Sequence, residues 1–375
     1  MEKKVGILKK WFAGIDFGMV IVTITLLCIG LVMVASASSY HALIDYNDSN
    51  YLFNRQLIFA LAGVVAMVGI SIIDYRKLKK WSYLAFVVSA ILLLLVVTPL
   101  GVTVNGAKRW LGFGTTFRFQ PSEIMKPVLV LAIATYLSRN ISKLKNVKTY
   151  IIPAVFILIV ILLMYLQKHM SGMLVLVIAG ISVVFFSGIK LKKRIIILGI
   201  IAVIAAAVGF IHAEPFRKQR IFSFMNPEQD LQNGNWQAAQ SLYAIGSGGL
   251  FGRGLGQSRQ KYLWLPEAQN DFIFSVLGEE LGFVGTMGVV ILFAYFIFKG
   301  YRTAMTCKDL FGSLVAAGIT TIFAVQIIVN IAVVTCSMPV TGMPLPFFSY
   351  GGTSLFINLC SMGLILSISK NCEKI

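Results

Sequence analysis

Ten apolar runs, each near the twenty residues an α-helix needs to cross a hydrocarbon layer, constrain this chain more than any other feature. They fall near 17–36, 56–73, 82–99, 122–138, 150–166, 172–189, 195–212, 271–298, 312–334 and 353–369. Lipid offers no water to backbone amides and carbonyls, so segments that span it have to be helices that satisfy their own hydrogen bonds. The expectation is an all-α polytopic membrane protein with ten transmembrane helices. Of the 375 residues, 57% are hydrophobic and 13% charged, which is too apolar for a soluble domain. One integral membrane domain, 1–375, is predicted, with a cytoplasmic N-terminus at 1–16, a large extracellular loop at 213–270 between helices 7 and 8, and a cytoplasmic tail at 370–375.

Basic residues orient the chain, because short cytoplasmic loops are enriched in Lys and Arg. Lys3, Lys4, Lys9 and Lys10 precede the first run, Arg76, Lys77, Lys79 and Lys80 follow the second, and Arg139, Lys143, Lys145 and Lys148 follow the fourth. Lys190, Lys192, Lys193, Arg194, Lys299, Arg302, Lys308, Lys370 and Lys374 continue the pattern on the same side. Both termini are therefore expected in the cytoplasm. The net charge of +18 is this topogenic signal plus attraction to anionic lipid heads, so no nucleic-acid partner is called for. Ala35-Ser36-Ala37 has the look of a signal-peptidase site, yet the run before it is long enough to span, and it is read as uncleaved. The five cysteines are scattered and give no outer disulfide, and three histidines without ligand spacing give no zinc site.

The chemistry is expected outside. Three outer segments stand out: Gly101 to Gln120, residues 213–270, and Thr335 to Gly352. Neither a P-loop nor a metal-binding Asp-x-Asp pair is present, so a reaction there would need a substrate already activated, such as a sugar on a lipid pyrophosphate. Asp271 stands where an apolar helix begins and is either its cap or a general base whose basicity is raised at a low-dielectric boundary. Asp271, Ser275, Gly278 and Glu279 share one helical stripe, and Glu267 lies four residues ahead beside Pro266 as a candidate substrate contact. In Gln120-Pro121-Ser122-Glu123-Ile124-Met125-Lys126, Pro121 opens a helix and Glu123 and Lys126 are spaced to pair, either as architecture or as part of a site. Lys108 and Arg109 add positive charge of the kind a pyrophosphate leaving group needs, or else form a solvated loop. Glu279 and Glu280 point about 100° apart on a helix and read as hydrogen-bonded packing. The glycine-rich runs 241–257 and 349–354 offer tight turns and amides that could cradle an anion, which makes Ser349, Gly351 and Gly352 candidate substrate contacts. His169 reads as a satisfied boundary residue.

Together, NGAKRWL with QPSEIMK, the run from Gln240 to Gly285 containing LPEAQNDFIF, and MPVTGMPLPFFSYGGTS resemble the SEDS family, the shape, elongation, division and sporulation proteins FtsW, RodA and SpoVE. The resemblance covers essentially all ten runs, and LPEAQNDFIF and ASAS are closer to the FtsW and SpoVE branch. It implies a peptidoglycan glycosyltransferase that polymerises lipid II into β-1,4 glycan strands by inversion. It also implies a class B penicillin-binding protein as crosslinking partner, within a division or elongation complex. The family's essential aspartate maps onto Asp271, and its Glu and Lys onto Glu123 and Lys126. The resemblance also implies a location in the bacterial plasma membrane; no dedicated ligand cluster compels a cofactor, although a divalent cation, magnesium or manganese, could bridge the pyrophosphate. Many members carry Gln-Pro-Asp or Glu-Pro-Asp where this chain has Gln167-Lys168-His169, so a negative charge gives way to positive ones. The competing function is a lipid II flippase with no bond chemistry, and a third reading is a scaffold that only recruits the partner.

Overall fold

The computed structural model describes residues 14–104, 107–113, 117–188, 224 and 236–372. Among them are ten α-helices: α1 Phe17–Tyr46, α2 Tyr51–Ile72, α3 Leu78–Val97, α4 Pro121–Arg139, α5 Ile151–Leu166, α6 Met170–Phe186, α7 Trp236–Gly248, α8 Ile273–Thr306, α9 Leu310–Val334 and α10 Gly352–Ser369. Seven are long and apolar enough to cross a membrane, and α6 is a shorter apolar helix. The chain is a multi-pass membrane protein. Nine of the ten predicted spans coincide with helices, whereas the predicted span 195–212 lies outside the described residues, as do 1–13, 373–375 and His212.

Several boundaries differ from expectation for physical reasons. The first helix continues past its apolar run through Ser38, Ser39, Tyr40 and His41 to Tyr46, because intrahelical hydrogen bonds do not require lipid once the residues leave it. The eighth extends to Thr306. The chain is not purely helical: β1 Gly101–Val104, β2 Ala107–Phe113 and β3 Phe117–Phe119 form an antiparallel sheet in the order β1-β2-β3, between α3 and α4. The sheet marks one end of the bundle, called the sheet end below. Basic residues such as Arg76, Arg139, Lys299 and Lys370 gather at the other end.

At that opposite end Asp16 caps α1, accepting from the Met19 amide at 3.2 Å, and pairs with Lys299 Nζ at 2.8 Å. Asp309 caps α9 through the Gly312 amide at 3.0 Å and accepts from the Tyr75 hydroxyl. The centre belongs to α4 and α9, which are buried along most of their length and pack on each other and on α6. α4 is the least apolar of the described helices, yet it is central, because Glu123 and Lys126 can then be screened from lipid by protein on all sides. Residues 336–350 re-enter the bundle, and Phe347 stacks on Phe323 at 5.5 Å between centroids and meets Phe296 edge-on at 5.6 Å.

α8 is broken at Gly282, whose φ of 67° and ψ of −167° are accessible to glycine almost alone. The break admits the turn at 250–252, whose backbone lies where a Cβ on Gly282 would be. Gly282→Ala should cost on the order of 1–3 kcal/mol from backbone strain alone, read as a lower thermal midpoint in detergent. A variant that melts with the wild type would mean that the helix can straighten there without loss.

Candidate functional site

Asp271 lies just ahead of α8 rather than in it: the helix cap is Phe272, and no side chain caps the helix. The capping role open from sequence is therefore not the one the side chain plays. Nor does Asp271 share a stripe with Ser275, Gly278 and Glu279, which face α7 and the loop after it, whereas the Asp271 carboxylate lies against Gly342. There a Cβ would stand 3.2 Å from Oδ2, and the φ of Gly342, +68°, favours glycine. The half-buried aspartate is held by its backbone. Asn330 Nδ2 of α9 donates to the Asp271 carbonyl at 2.8 Å and to the Met343 carbonyl at 2.7 Å. One residue earlier, Ser349 Oγ donates to the Asn270 carbonyl at 2.6 Å while accepting from the Leu345 amide at 2.7 Å. Asn270 also donates through its side chain to Glu267, which adopts a left-handed φ of 57°.

A second group of polar side chains lies at the same end. Lys126 Nζ is 2.6 Å from Glu123 Oε1 on α4, with Lys126 only 4% exposed and Glu123 only 3%. The buried atoms Glu123 Oε2 and Ser122 Oγ have no hydrogen-bond partner among the described residues, and neither does Nδ1 of His169, which precedes α6. Arg109 of β2 donates to the Lys168 carbonyl at 3.2 Å. Burial first, then the charges of Arg109 and Lys126, hold the His169 imidazole well below its ordinary pKa, so it is neutral. Gln167 anchors this turn to α3 by donating to the Leu93 carbonyl at 2.6 Å.

Glu279 and Glu280 do structural work, as expected, but for a loop as well as for neighbouring helices. Glu279 accepts from Ser258 Oγ at 2.6 Å, the Arg259 amide at 3.0 Å and the Gln260 amide at 3.3 Å. Glu280 Oε1 accepts from Ser36 Oγ at 2.6 Å and Lys261 Nζ at 3.3 Å. Ser258 serves both carboxylates, since its amide reaches Glu280 at 3.3 Å.

Those contacts correct the anion-cradle expectation for the glycine-rich run. The amides of Arg253 and Gly254 bond the carbonyls of Glu279 and Glu280, and the anion that the following amides hold is the chain's own Glu279. In the second run, the Gly351 amide donates to Gln56 Oε1 at 3.1 Å, Gly352 is pressed by the Phe59 ring, and Ser349 is used on both sides. Ser349 thus holds the backbone one residue before Asp271, while Gly351 and Gly352 pack against α2. Lys108 and Arg109 are not a loop cluster either. On β2 the pairing with β1 slips by one residue at Arg109, which is half-buried and reaches the turn that holds His169, while Lys108 is exposed.

Sequence reasoning passed over Asn330, Lys261 and Ser36, and it undervalued His169. A lone Asn inside an apolar helix was the available signal for Asn330. Lys261 gave none, since nothing in its neighbourhood marks a loop lysine that is buried.

Comparison with known proteins adds a second line of observation. The family profile FTSW_RODA_SPOVE, described as "Cell cycle protein", matches residues 17–374. The chain is 42% identical over 357 residues to Stage V sporulation protein E of Bacillus subtilis, covering 95% of this chain and 97% of that one. It is 40% identical over 373 residues to a probable peptidoglycan glycosyltransferase FtsW of Trichlorobacter lovleyi, covering 98% and 97%. Among solved structures, the rod shape determining protein RodA of Thermus thermophilus superposes with a TM-score of 0.70 at 28% identity over 97% of this chain and 99% of that one. A chain from work on "structural coordination of polymerization and crosslinking by a peptidoglycan synthase complex" gives 0.78 at 28% identity, over 96% and 98%.

Removing one member of the buried Lys261–Glu280 pair leaves a charge without its partner, which typically costs about 3–5 kcal/mol. Lys261→Met should therefore lower the melting temperature and open residues 253–261 to limited proteolysis. Wild-type resistance to the protease would show that the pair does not hold the loop.

Proposed function

The chain belongs to the FtsW/RodA/SpoVE family, and from that premise we propose that it is a peptidoglycan glycosyltransferase acting in division or sporulation, with lipid II as substrate. The observation that carries the reading is the position of Asp271, fixed through its backbone by Asn330 at the same end of the bundle as the buried Lys126 and Arg109. This end faces outward in the proposal, in line with the basic residues at the other.

Asp271 takes the proton of the C4 hydroxyl on an acceptor GlcNAc. The freed oxygen attacks the anomeric carbon of the lipid-linked donor, the bond from that carbon to the pyrophosphate oxygen breaks, and the departing lipid pyrophosphate keeps the electron pair. Attack opposite an α-linked leaving group gives a β-1,4 product by inversion. Arg109 and Lys126 offset the charge that develops on the pyrophosphate, and Glu123 orients Lys126. A magnesium or manganese ion would supply positive charge to the departing pyrophosphate; among the described residues no three His, Cys, Asp or Glu side chains group together to hold one. A class B penicillin-binding protein, crosslinking the strands, is the proposed partner; the likeness to a chain of a complex that coordinates polymerization with crosslinking supports it.

The test is polymerisation of purified lipid II by the protein with its partner, the partner's transpeptidase being blocked. Asp271→Asn should lose at least about a hundredfold of the rate, as a missing general base does, at wild-type expression and melting temperature. Arg109→Gln should cost much more than Lys108→Gln, because Arg109 reaches the turn before α6 while Lys108 is exposed. Equal polymerisation by Asp271→Asn would remove the base from the mechanism, and lipid II crossing liposomes without polymerisation would turn the reading into transport.

A further inference from the structure

His169 has no part in the chemistry described so far, yet it is 7% exposed and its Nδ1 has no hydrogen-bond partner among the described residues. A buried polar atom left unpaired costs free energy unless something else uses it. The surroundings are uniformly hostile to a proton on this ring. Arg109 approaches from β2 and Lys126 from α4, and the ring sits at the start of α6, the positive end of that helix's dipole. Among the described residues nearby, Glu123 of α4 is engaged with Lys126, Lys168 adjoins in sequence, and Met164 of α5 is not titratable. The imidazole lies over Gly172, where a Cβ would come 2.6 Å from its Cε1.

What repels a proton attracts an anion. Two cations and a helix N-terminus around one neutral imidazole form a site for phosphate oxygens. Lys126 adds unused capacity, because Glu123 takes one of its three N–H donors and no other partner is found among the described residues. A pyrophosphate entering there would reverse the field at the ring and favour its protonation.

We propose that His169 is a phosphate-binding residue for the lipid-linked donor, taking up a proton from solvent as the pyrophosphate enters and joining Arg109 and Lys126 on the anion. This rests on the reading of the substrate as a lipid pyrophosphate. Linkage fixes the sign: the ring binds its proton more tightly in the complex than in the free protein, so affinity falls as pH rises through the pKa of the bound state. Below the pKa of the free state the affinity levels off.

The probe is undecaprenyl pyrophosphate, bound to the full-length protein in nanodiscs between about pH 6 and pH 8, the range of imidazole titration. The probe's own titration is common to wild type and His169→Gln, so the ratio of their affinities isolates the ring. That ratio should fall with rising pH, by up to about tenfold per pH unit, the slope for one linked proton. A ratio that is constant across the range would overturn the proposal while leaving the pocket in place. Failure of both proteins to bind at any pH would instead remove the lipid-pyrophosphate reading, and the proposal with it. If His169→Gln does not fold, 15N-histidine spectra of the wild type serve, assigned with His41→Gln and His212→Gln. The His169 signal should move from neutral imidazole to imidazolium when the probe is added near neutral pH, and a ring that stays neutral in the complex would refute the idea.

Discussion

A charge inside a helix bundle has to be neutralised by the protein around it, and the places where this chain does so fully differ from those where it does so in part. Glu279 is saturated, with two backbone amides, a hydroxyl and Arg253 around its carboxylate. Through it and Glu280, the loop after α7 is tied to α8 and, by way of Ser36, to α1. Of the two carboxylates only Glu279 has all its acceptor capacity used, since Glu280 Oε2 has no partner among the described residues. Glu123 and Lys126 are as deeply buried but satisfy each other only, leaving Glu123 Oε2, Ser122 Oγ and His169 Nδ1 unused. Burial of both pairs costs desolvation; the Glu123–Lys126 pair is set apart by the further unused atoms of Ser122 and His169 in the same region, whereas the Glu280–Lys261 pair is tied to α1 and to the loop by Ser36 and Ser258.

That contrast explains why the bundle places its least apolar helix at the centre. Were α4 at the lipid boundary, Glu123 and Lys126 would meet hydrocarbon; between α9, α6 and α3 they meet protein. The strongly apolar helices then take the periphery, with residues such as Leu61, Val65, Ile91, Leu162 and Ile291 turned outward, as a lipid-facing surface requires.

Much of this was legible in the sequence because lipid allows so few alternatives. Apolar length located nine helices, and Pro121 marked the start of α4 as the missing amide of proline predicts. The sheet between α3 and α4 was not legible: its strands are three to seven residues long, carry mixed polarity, and are identified by pairing across the hairpin rather than by local pattern. With it went the difference between Lys108 and Arg109, adjacent in sequence but one exposed and the other half-buried at a slip in the pairing. The glycine-rich run misled for a related reason. Glycines announce that a backbone passes close to something, but whether that is a substrate or, as at Gly282, another turn of the same chain depends on tertiary contacts. For the site, the motif singled out Asp271, Glu123 and Lys126 and the glycine-rich run named Ser349, while the clamping of the backbone at Asn270 and Asp271 by Ser349 and Asn330 emerges only from the fold.

One helix fixes the relation between the two groups of the site. α9 packs against α4 and α6, which carry Glu123 and Lys126 and follow His169, and its Asn330 binds the backbone at Asp271 and at Met343. In an inverting transfer the base acts on one face of the sugar and the leaving group departs from the other, so their separation has to be held rather than sampled. Loops alone would hold it loosely. Here α9 carries it, with Val315, Ala316, Ala317, Ile319 and Phe323 buried against its neighbours over several turns. The distance between Asp271 and the group of Lys126 and His169 is thereby a property of core packing, and under the proposed mechanism a core substitution such as one at Ile319 would bear on catalysis through that distance.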